Sequence, residues 1–382
     1  MKKSILVFSH AMEIGGAERA LLGLLENINY EEYDVDLFLM RHQGELYKYL
    51  PSEINILEEI PEYTCLAVPL KSVIKKGFLR VAYGRLKGKI LTKNRVKDLK
   101  IPEDNGVGLE YSHKYTKKYM PCINNKQYDV AVSFLTPHYF VQEKVNAKYK
   151  VAWIHTDYSK VAVDVESESK MWNAYDRIIS ISDAVTEAFV KVFPDTYDKI
   201  TVIENMMAIK TIVSQKDEFD VKDEMPDDGS IKILSIGRFC HAKNFDNVPD
   251  ICRRILESGL KIKWYLVGFG GSEQLIKDKI EEAKMQENVI ILGKKENPYP
   301  YIKECDVYIQ PSRYEGNAVT VHEAQLLGKP VIITDYPTAK SQLEDGVDGY
   351  IVPLDNKECS DSIIKLLKEE IYAKDKCYCS GI

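Results

Sequence analysis

The chain has 382 residues, of which 45% are hydrophobic and 29% charged. This composition is typical of globular proteins, the length predicts two domains of roughly 100–200 residues each, and the net charge of −6 argues against a nucleic-acid-binding protein, which needs an excess of lysine and arginine. No apolar run reaches the ~20 residues of a membrane-spanning helix, and the start, MKKSILVFSHAME, turns polar too soon for a signal peptide, so we expect a cytoplasmic protein.

The first half of the chain alternates short apolar runs with amphipathic segments. KSILVFS predicts a strand, AERALLGLLENI a helix and YDVDLFLM a second strand, which together form a β-α-β unit. Later runs predict further strands, mostly parallel: YDVAVSF, KVAWIH, RIISIS and KITVIE. We predict a first domain at residues 1–205. The polar, acidic residues 206–230 contain Pro226 and Gly229 and predict a linker.

The second half, residues 231–382, repeats this alternation more regularly. Helices are expected at about 245–257 and 272–285, between strands predicted at IKILSIG, KIKWYLVG, NVIILG, DVYIQPS and KPVIITD. The predicted fold class is therefore α/β, with two Rossmann-like domains. Because ligands of open parallel sheets bind at the carboxyl ends of the strands, we looked for site residues in the loops that follow them.

Metal and disulfide chemistry is not expected. The seven histidines show no metal-ligand spacing, and of the eight cysteines only Cys377 and Cys379 lie close together. We therefore predict reduced thiols and no metal or other cofactor. An Asp-x-Asp at Asp34 and Asp36 opens a strand rather than following one, and we interpret it as solvated loop charge.

The loop SHAMEIGGAERA places Gly15 and Gly16 between a strand and a helix. Glycine lets a backbone approach a ligand closely, and the helix start offers unpaired N–H groups to an anion. The alternative is a tight turn without a ligand. The loop lacks the G-x-G-x-x-G spacing, which argues against a dinucleotide dehydrogenase.

In SIGRFCHAKN, Arg238 and Lys243 occupy the loop after the first strand of the second half, just beyond Gly237. Two cations on one short loop suit a diphosphate, with arginine acting through its planar fork and lysine as a point charge. Two solvated surface charges are the alternative, but the position at the carboxyl end of a strand favours a ligand site.

The stretch PSRYEGNAVTVHEAQLLGKP carries two carboxylates eight residues apart. Glu315 lies in a loop before Gly316, and Glu323 lies on the following helix. Carboxylates accept hydrogen bonds from pairs of hydroxyls, which suits a polyol, and the helix start between them is left free for phosphate. Glu323 could instead be a surface charge, but its apolar neighbours predict a semi-buried face.

Together these motifs resemble the retaining glycosyltransferases of family four, which adopt the GT-B fold. The resemblance rests on GGAER, WIHTD, KITVIEN, the loop with Arg238 and Lys243, EGNAVTVHEA, and GYIVPLD near the end. It implies two Rossmann-like domains that hold a nucleotide-sugar in the cleft between them. The second domain would bind the donor and the first would face the acceptor.

The resemblance also implies a role for each matching residue. Arg238 and Lys243 would hold the diphosphate of the donor, Glu315 the hydroxyls of its sugar and Glu323 its ribose. His155 in WIHTD would lie near the donor sugar, although a histidine at the end of an apolar strand is often only a hydrogen-bonded core residue. Further donor contacts would come from the backbone of Gly16, Gly237, Gly316, Asn317, Ala318 and Val319.

The function implied is transfer of a hexose or N-acetylhexosamine from a nucleotide-sugar, UDP-sugar favoured, to a glycan or lipid-diphosphate-linked acceptor in bacterial surface-polysaccharide synthesis. The alternatives are an epimerase, phosphorylase or hydrolase of the same fold, or a non-catalytic nucleotide-sugar-binding partner.

Two features of the sequence depart from the family pattern. Met206 follows Asn205 where relatives commonly have glycine, and the chain ends soon after a helix at about 363–370, so the helix that crosses back to the first domain would be short or missing.

Residues 71–100 are strongly basic, with eleven lysines and arginines against one acid, Asp98. Apolar residues recur in this segment at helical spacing, which predicts an amphipathic helix. One interpretation is peripheral binding to an anionic membrane at the inner face of the plasma membrane. The other is a helix packed on the first domain with a solvated basic face. The cations assigned to the membrane surface are Lys75, Lys76, Arg80 and Arg85.

Overall fold

The computed structural model describes residues 2–100 and 105–371. The chain divides into two compact units, Met1–Met206 and Met207–Ile382. Each unit is a parallel β-sheet with helices, so the predicted α/β class with two Rossmann-like domains is confirmed.

The first unit contains a seven-stranded sheet in the order β3-β2-β1-β4-β5-β6-β7. Its strands are β1 (Lys3–Ser9), β2 (Tyr33–Leu39), β3 (Asn55–Ile56), β4 (Gln127–Ser133), β5 (Asn146–Ile154), β6 (Arg177–Ser180) and β7 (Ile200–Val202). Its helices are α1 (Gly16–Glu26), α2 (Pro61–Thr64), α3 (Leu70–Lys75), α4 (Leu79–Leu99), α5 (Val107–Thr116), α6 (Tyr139–Lys144), α7 (Val165–Asn173) and α8 (Asp183–Val192).

The second unit contains a six-stranded sheet in the order β10-β9-β8-β11-β12-β13. Its strands are β8 (Ile231–Ile236), β9 (Ile262–Val267), β10 (Val289–Gly293), β11 (Val307–Gln310), β12 (Val331–Thr334) and β13 (Tyr350–Val352). Its helices are α9 (Ile209–Gln215), α10 (Val248–Glu257), α11 (Glu273–Ala283), α12 (Tyr299–Glu304), α13 (Val319–Leu326), α14 (Ala339–Gln342) and α15 (Asn356–Leu366).

The strand orders explain where a ligand would bind. In each sheet the order reverses direction beside the first strand of the unit, between β1 and β4 in the first and between β8 and β11 in the second. Open α/β sheets bind ligands at such a switch point, at the carboxyl ends of the strands. The loops singled out from the sequence after β1, β8 and β11 lie at these positions.

Successive side chains of each strand point to opposite faces of the sheet, so the second unit has a core on both faces. Ile233, Trp264 and Ile309 belong to one buried cluster, and Leu234 and Tyr265 belong to the other. Because both faces are covered, the strands are apolar throughout, as expected for a parallel sheet.

The predicted linker at residues 206–230 is part of the second unit. It contains α9, and Ile212, Val221 and Met225 are buried in the core cluster of that unit. The acidic composition of residues 206–230 led to the linker prediction, because only these few apolar residues of the segment point inward. The boundary between the units lies after Met206, close to the predicted end of the first domain.

The interpretation of Asp36 as solvated loop charge is wrong. Asp36 lies within β2 and is 5% exposed. Its carboxylate accepts hydrogen bonds from Tyr128 Oη at 2.5 Å, Asn55 Nδ2 at 2.7 Å and Lys126 Nζ at 2.9 Å. Burial would raise the pKa of this carboxyl group, but the three donors lower it below its usual value. Asp36 is therefore a structural residue.

No helix among residues 2–100 and 105–371 is both long and apolar enough to cross a membrane. The cysteines in these ranges are free thiols, and Cys65, Cys252, Cys305 and Cys359 are buried. The chain continues from α15 into a short π-helical turn, Leu367–Ile371. Cys377, Cys379 and the segment in which a crossing helix was sought lie outside the described residues.

Candidate functional site

The loop after β8 carries the two predicted diphosphate ligands. Gly237 follows the strand, a 3₁₀ turn spans His241–Lys243, and Asn244 reverses the chain at φ +60°. A Cβ at position 237 would lie 3.0 Å from Cε of Lys243, so the glycine makes room for that side chain. Arg238 is exposed and forms no ion pair with the described part of the chain.

Lys243 and Glu315 form an ion pair that the sequence did not predict. Nζ of Lys243 lies 2.5 Å from Oε1 of Glu315, and both side chains are largely buried. The same carboxylate oxygen accepts hydrogen bonds from Gln310 Nε2, at 3.2 Å, and from the Ser312 hydroxyl. The structure therefore brings together the predicted phosphate ligand and the predicted sugar ligand.

Arg313 braces the loop after β11 against the loop after β8. Its guanidinium donates two hydrogen bonds to the Asp246 carboxylate, at 2.9 and 2.7 Å, and one to the His241 carbonyl oxygen at 2.7 Å. Its own N–H donates to the Ala242 carbonyl at 2.7 Å. Burial would raise the pKa of Asp246, but Arg313 lowers it below its usual value. Sequence reasoning missed this pair because the partners are 67 residues apart.

The loop that leads into α13 is held by buried amide and hydroxyl groups. Gln342 accepts from Ala318 N at 3.2 Å and donates to Ala318 O at 2.7 Å, and Thr338 Oγ1 donates to Glu315 O at 2.9 Å. Helix α13 begins at Val319 with no side-chain cap. The Val321 N–H donates to the Ala318 carbonyl oxygen at 3.0 Å, which leaves Val319 and Thr320 to provide the N–H groups that could face an anion.

Gly316 and Asn317 lie in the same loop, between Glu315 and the start of α13. The Asn317 side chain is held by His322, whose Nε2 lies 3.0 Å from Oδ1. The backbone of residues 316–319 is therefore positioned beside the two predicted carboxylate ligands.

Glu323 is 1% exposed and accepts a hydrogen bond from the Tyr299 hydroxyl at 2.9 Å. The alternative that it is a solvated surface charge is wrong. The predicted semi-buried face of α13 is confirmed, since Val321 and Ala324 are fully buried beside Glu323.

Two glycines of the loop after β9 complete the surroundings of Arg238 and Lys243. Gly268 and Gly270 have φ near +155°, and a Cβ at Gly268 would lie 1.9 Å from the Gly237 carbonyl oxygen. Only glycine allows this approach of two loops. The signal in the sequence is VGFGG directly after a strand.

In the first unit, Gly15 caps α1 and Gly16 is its first residue, with no side-chain cap on the helix. A Cβ at Gly16 would meet no atom within 4 Å, so the protein's own packing does not require glycine there. A Cβ at Gly15, by contrast, would lie 2.1 Å from Oε2 of Glu18, so this glycine makes room for the Glu18 carboxylate. Contact between Gly16 and a phosphate remains a prediction.

His155 directly follows β5 and is one of four histidines of the first unit, of which His113 and His138 are buried and His10 and His155 partly buried. Burial lowers the pKa of His155 to about 3, and its ring hydrogen-bonds to the main chain of Phe134, while Nε2 has no partner among the described residues. Three further ring nitrogens have no hydrogen-bond partner among the described residues: Nε2 of His10, Nδ1 of His113 and Nε2 of His138. Burial lowers the pKa of these rings as well, to about 4 for His10 and about 3 for His113.

Of these four histidines, only His155 was predicted from the sequence. His10 follows β1 directly and His138 follows β4 closely, so the position after a strand would have found both. His113 lies on α5, and no local pattern indicates it. The four rings offer neutral nitrogens that can donate or accept a hydrogen bond, as uncharged hydroxyls require.

The prediction that Arg85 is one of the membrane-facing cations of residues 71–100 is wrong. Its guanidinium is partly buried and donates to the carbonyl oxygens of Cys65 and Val68, at 2.6 and 2.5 Å. Lys75, Lys76 and Arg80 are exposed.

No group of three or more potential metal ligands occurs among residues 2–100 and 105–371.

With this geometry established, the chain was compared with known proteins. Residues 216–377 match the family model "Glycosyl transferases group 1". A Campylobacter jejuni N-acetylgalactosamine-N,N'-diacetylbacillosaminyl-diphospho-undecaprenol 4-alpha-N-acetylgalactosaminyltransferase is 24% identical, over 95% of this chain and 90% of its own. A Staphylococcus aureus poly(ribitol-phosphate) alpha-N-acetylglucosaminyltransferase is 23% identical over 37% of this chain, and the match spans only 29% of that protein.

Solved structures share the fold of the whole chain. The Anabaena protein HepE in complex with UDP and glucose superposes with a TM-score of 0.64 at 16% identity, covering 96% of this chain and 90% of its own. The family model thus matches the second unit, and the solved structures show that the whole chain has the GT-B fold.

Proposed function

We propose that the protein is a retaining glycosyltransferase that moves a hexose or N-acetylhexosamine from a nucleotide-sugar, with UDP favoured, to a hydroxyl of a glycan or lipid-diphosphate-linked glycan. The observation that carries this proposal is the cluster at the switch point of the second sheet. There an exposed arginine, a lysine–glutamate pair and an uncapped helix start occur together at Arg238, Lys243, Glu315 and Val319.

The chemistry of this cluster suits departure of a nucleoside diphosphate. Negative charge grows on the phosphate oxygens as the sugar becomes oxocarbenium-like, so fixed cations and helix N–H groups stabilise the transition state. Arg238 is free to contact phosphate. Lys243 can contact phosphate while Glu315 accepts hydrogen bonds from sugar hydroxyls, because a carboxylate has several acceptor positions. Glu323 would receive the ribose hydroxyls.

No metal is needed in this mechanism, because the positive charge comes from side chains and the helix start. His155 would provide a neutral ring for a sugar hydroxyl, and Gly16 a backbone approach to phosphate. The relatives support the choice of substrates: HepE was crystallised with UDP and glucose, and the C. jejuni enzyme is named for a diphospho-undecaprenol acceptor. Bacterial surface-polysaccharide synthesis at the inner face of the membrane is the setting we propose.

Thermal unfolding with added nucleotides tests the donor class. We expect UDP to raise the midpoint more than GDP or ADP, since a ligand at 100 times its Kd adds about 2.7 kcal/mol to stability. No stabilisation by any nucleoside diphosphate would contradict the proposal. Release of free sugar or its epimer, with no transfer to any glycan acceptor, would favour a hydrolase or epimerase instead.

A further inference from the structure

Helix α4, Leu79–Leu99, packs on α5 through glycines. A Cβ at Gly84 would lie 2.7 Å from the Tyr115 carbonyl oxygen, and one at Gly88 would lie 2.8 Å from that of Tyr111. The two helix backbones therefore approach too closely for any side chain at these positions. This contact determines which face of α4 is turned inward.

The opposite face of α4 carries a row of exposed apolar side chains, which we call the outer ridge. Leu79 is 64% exposed, Tyr83 58%, Leu86 45% and Ile90 52%. Their spacing of four, three and four residues places them in one line along the helix, because an α-helix turns by about 100° per residue. Large apolar residues aligned on a surface are unusual in a soluble domain and indicate an interaction site.

Lysines and arginines border the outer ridge on both sides. At 100° per residue, Arg80 and Lys87 lie on one side of the ridge, and Lys89 and Lys93 on the other. All four side chains are exposed, and none forms an ion pair with a residue of the described ranges. Lys87 extends over the ring of Tyr115, 5.2 Å from its centroid. We call these four residues the basic flanks.

The pattern differs from an ordinary amphipathic helix of a globular protein. Such a helix buries its apolar stripe and exposes its charges, whereas α4 buries two glycines with the smaller Val81 and Ala82 and exposes its large apolar residues together with its basic ones. The inward polar contacts of this segment are made by two other arginines. Arg85 binds backbone carbonyls, and Arg95 forms a salt bridge with Asp164 at 2.8 Å.

We propose that the outer ridge and the basic flanks of α4 form a docking surface for an anionic lipid bilayer. The apolar side chains would enter the boundary between headgroups and acyl chains, with the helix in the plane of the surface. The flanking cations would lie at the level of the lipid phosphates, since their aliphatic stems let the charge reach the headgroups. Tyr83 suits this depth, because its ring is apolar and its hydroxyl polar.

Charge is what favours a bilayer over a protein partner. A continuous anionic surface satisfies cations on both sides of a narrow ridge at once, without matching the position of each one. The proposal does not depend on the enzymatic activity, since vesicle binding is measured without donor or acceptor. Its failure would therefore leave the proposed function untouched.

Co-sedimentation of the full chain with vesicles tests the surface. We expect binding to vesicles containing phosphatidylglycerol, weak binding to pure phosphatidylcholine, and loss of binding at 1 M salt, where the Debye length falls to about 3 Å. Replacing the basic flanks by glutamine (R80Q, K87Q, K89Q and K93Q) should weaken partitioning by about a hundredfold or more. Replacing Leu86 and Ile90 by serine should weaken it by at least about tenfold.

Matched variants of the second unit serve as controls. The exposed lysines Lys277, Lys279, Lys357 and Lys365, replaced by glutamine, remove the same charge, and Leu275→Ser on α11 removes an exposed leucine. These variants should bind as the wild type does. Equal binding to neutral and anionic vesicles would overturn the proposal, as would equal losses of binding in the α4 variants and the control variants. Outer-ridge variants that change only the oligomeric state of the protein would also overturn it.

A tryptophan at the centre of the outer ridge measures insertion directly. The native tryptophans, Trp153, Trp172 and Trp264, are buried, so their emission should not respond to vesicles. Tyr83→Trp should shift its emission to the blue with anionic vesicles and be quenched by lipids brominated on the acyl chain. Emission that stays unchanged while the protein sediments would show that α4 is not the docking element.

Discussion

The two units present opposite chemistry at equivalent places in their sheets. At the switch point of the second sheet lie charged groups, with Lys243 already paired to Glu315. Near the strand ends of the first sheet lie neutral rings, including His10 and His155, each of which has an Nε2 without a partner among the described residues. A charged set suits a charged ligand, and a neutral set suits hydroxyls. The difference supports assigning the donor diphosphate to the second unit.

The comparison is tested most strongly at Arg238, which has no ion-pair partner in residues 2–100 and 105–371. Arg238→Ala and Lys243→Ala should each lower kcat/KM by about 10- to 100-fold, because each removes a charge-assisted contact to phosphate. Steady-state kinetics and thermal unfolding check this, with Lys277→Ala on α11 as the control. Near-normal kinetics in both variants would contradict the diphosphate assignment.

The brace between Arg313 and Asp246 should have a smaller effect, since neither residue is proposed to touch the donor. Arg313→Lys and Asp246→Asn should each raise the KM for the donor by about tenfold or less, because the loop with Arg238 and Lys243 loses its support. The double variant should be little worse than either single one, since both remove the same contact. Fully additive losses in a double-mutant cycle would show that the two residues act independently.

The neutral histidines predict how the stability of the first unit depends on pH. Their pKa values are lowered in the folded state, to about 4 for His10 and about 3 for His113 and His155, below the unfolded value of about 6.5. The unfolded chain therefore binds more protons, and stability falls as pH drops below about 6.5. Each histidine contributes a slope of up to about 1.4 kcal/mol per pH unit.

Buried Glu168 opposes this trend, because burial raises its pKa to about 7. Its folded form retains a proton that the unfolded chain loses above about pH 4.5, so its contribution is lost as pH rises towards 7. Burial raises the pKa of Glu110 as well, and it lowers that of His138, so four histidines oppose two glutamates and outweigh them between pH 5 and 6.5. Denaturant titrations with Trp264→Phe, which leaves Trp153 and Trp172 as reporters of the first unit, should show a net loss towards acid. A flat profile would mean that the rings are already protonated.

The smallest expected effect concerns metal. EDTA should leave transfer unchanged, because the cations proposed for the leaving group are side chains of the second unit. Activity assays with EDTA, followed by addition of Mn²⁺ or Mg²⁺, check this. Loss of activity with EDTA and recovery with either metal would show that the charge comes from an ion instead.

Local pattern was sufficient for the elements and for the residues of single loops. Strands and their loops follow from the spacing of apolar residues and from the glycines and prolines between segments. Gly237, Glu315 and the semi-buried face of Glu323 could therefore be found from neighbours in the chain. The linker failed for the same reason: residues 206–230 have a polar average, and the burial of Ile212, Val221 and Met225 depends on a surface supplied by distant strands.

The sequence by itself determined the α/β class, the two units and which loops carry the candidate site residues, because hydrophobic period and glycine placement are local properties of the chain. Only the tertiary structure decided which residues meet. It paired Lys243 with Glu315 and Arg313 with Asp246, gathered His10, His113, His138 and His155 in one unit, and turned Arg85 inward. It also exposed the apolar side of α4, because close packing on α5 at Gly84 and Gly88 sets the rotation of that helix, and the spacing of residues within one helix does not specify which face its neighbour covers.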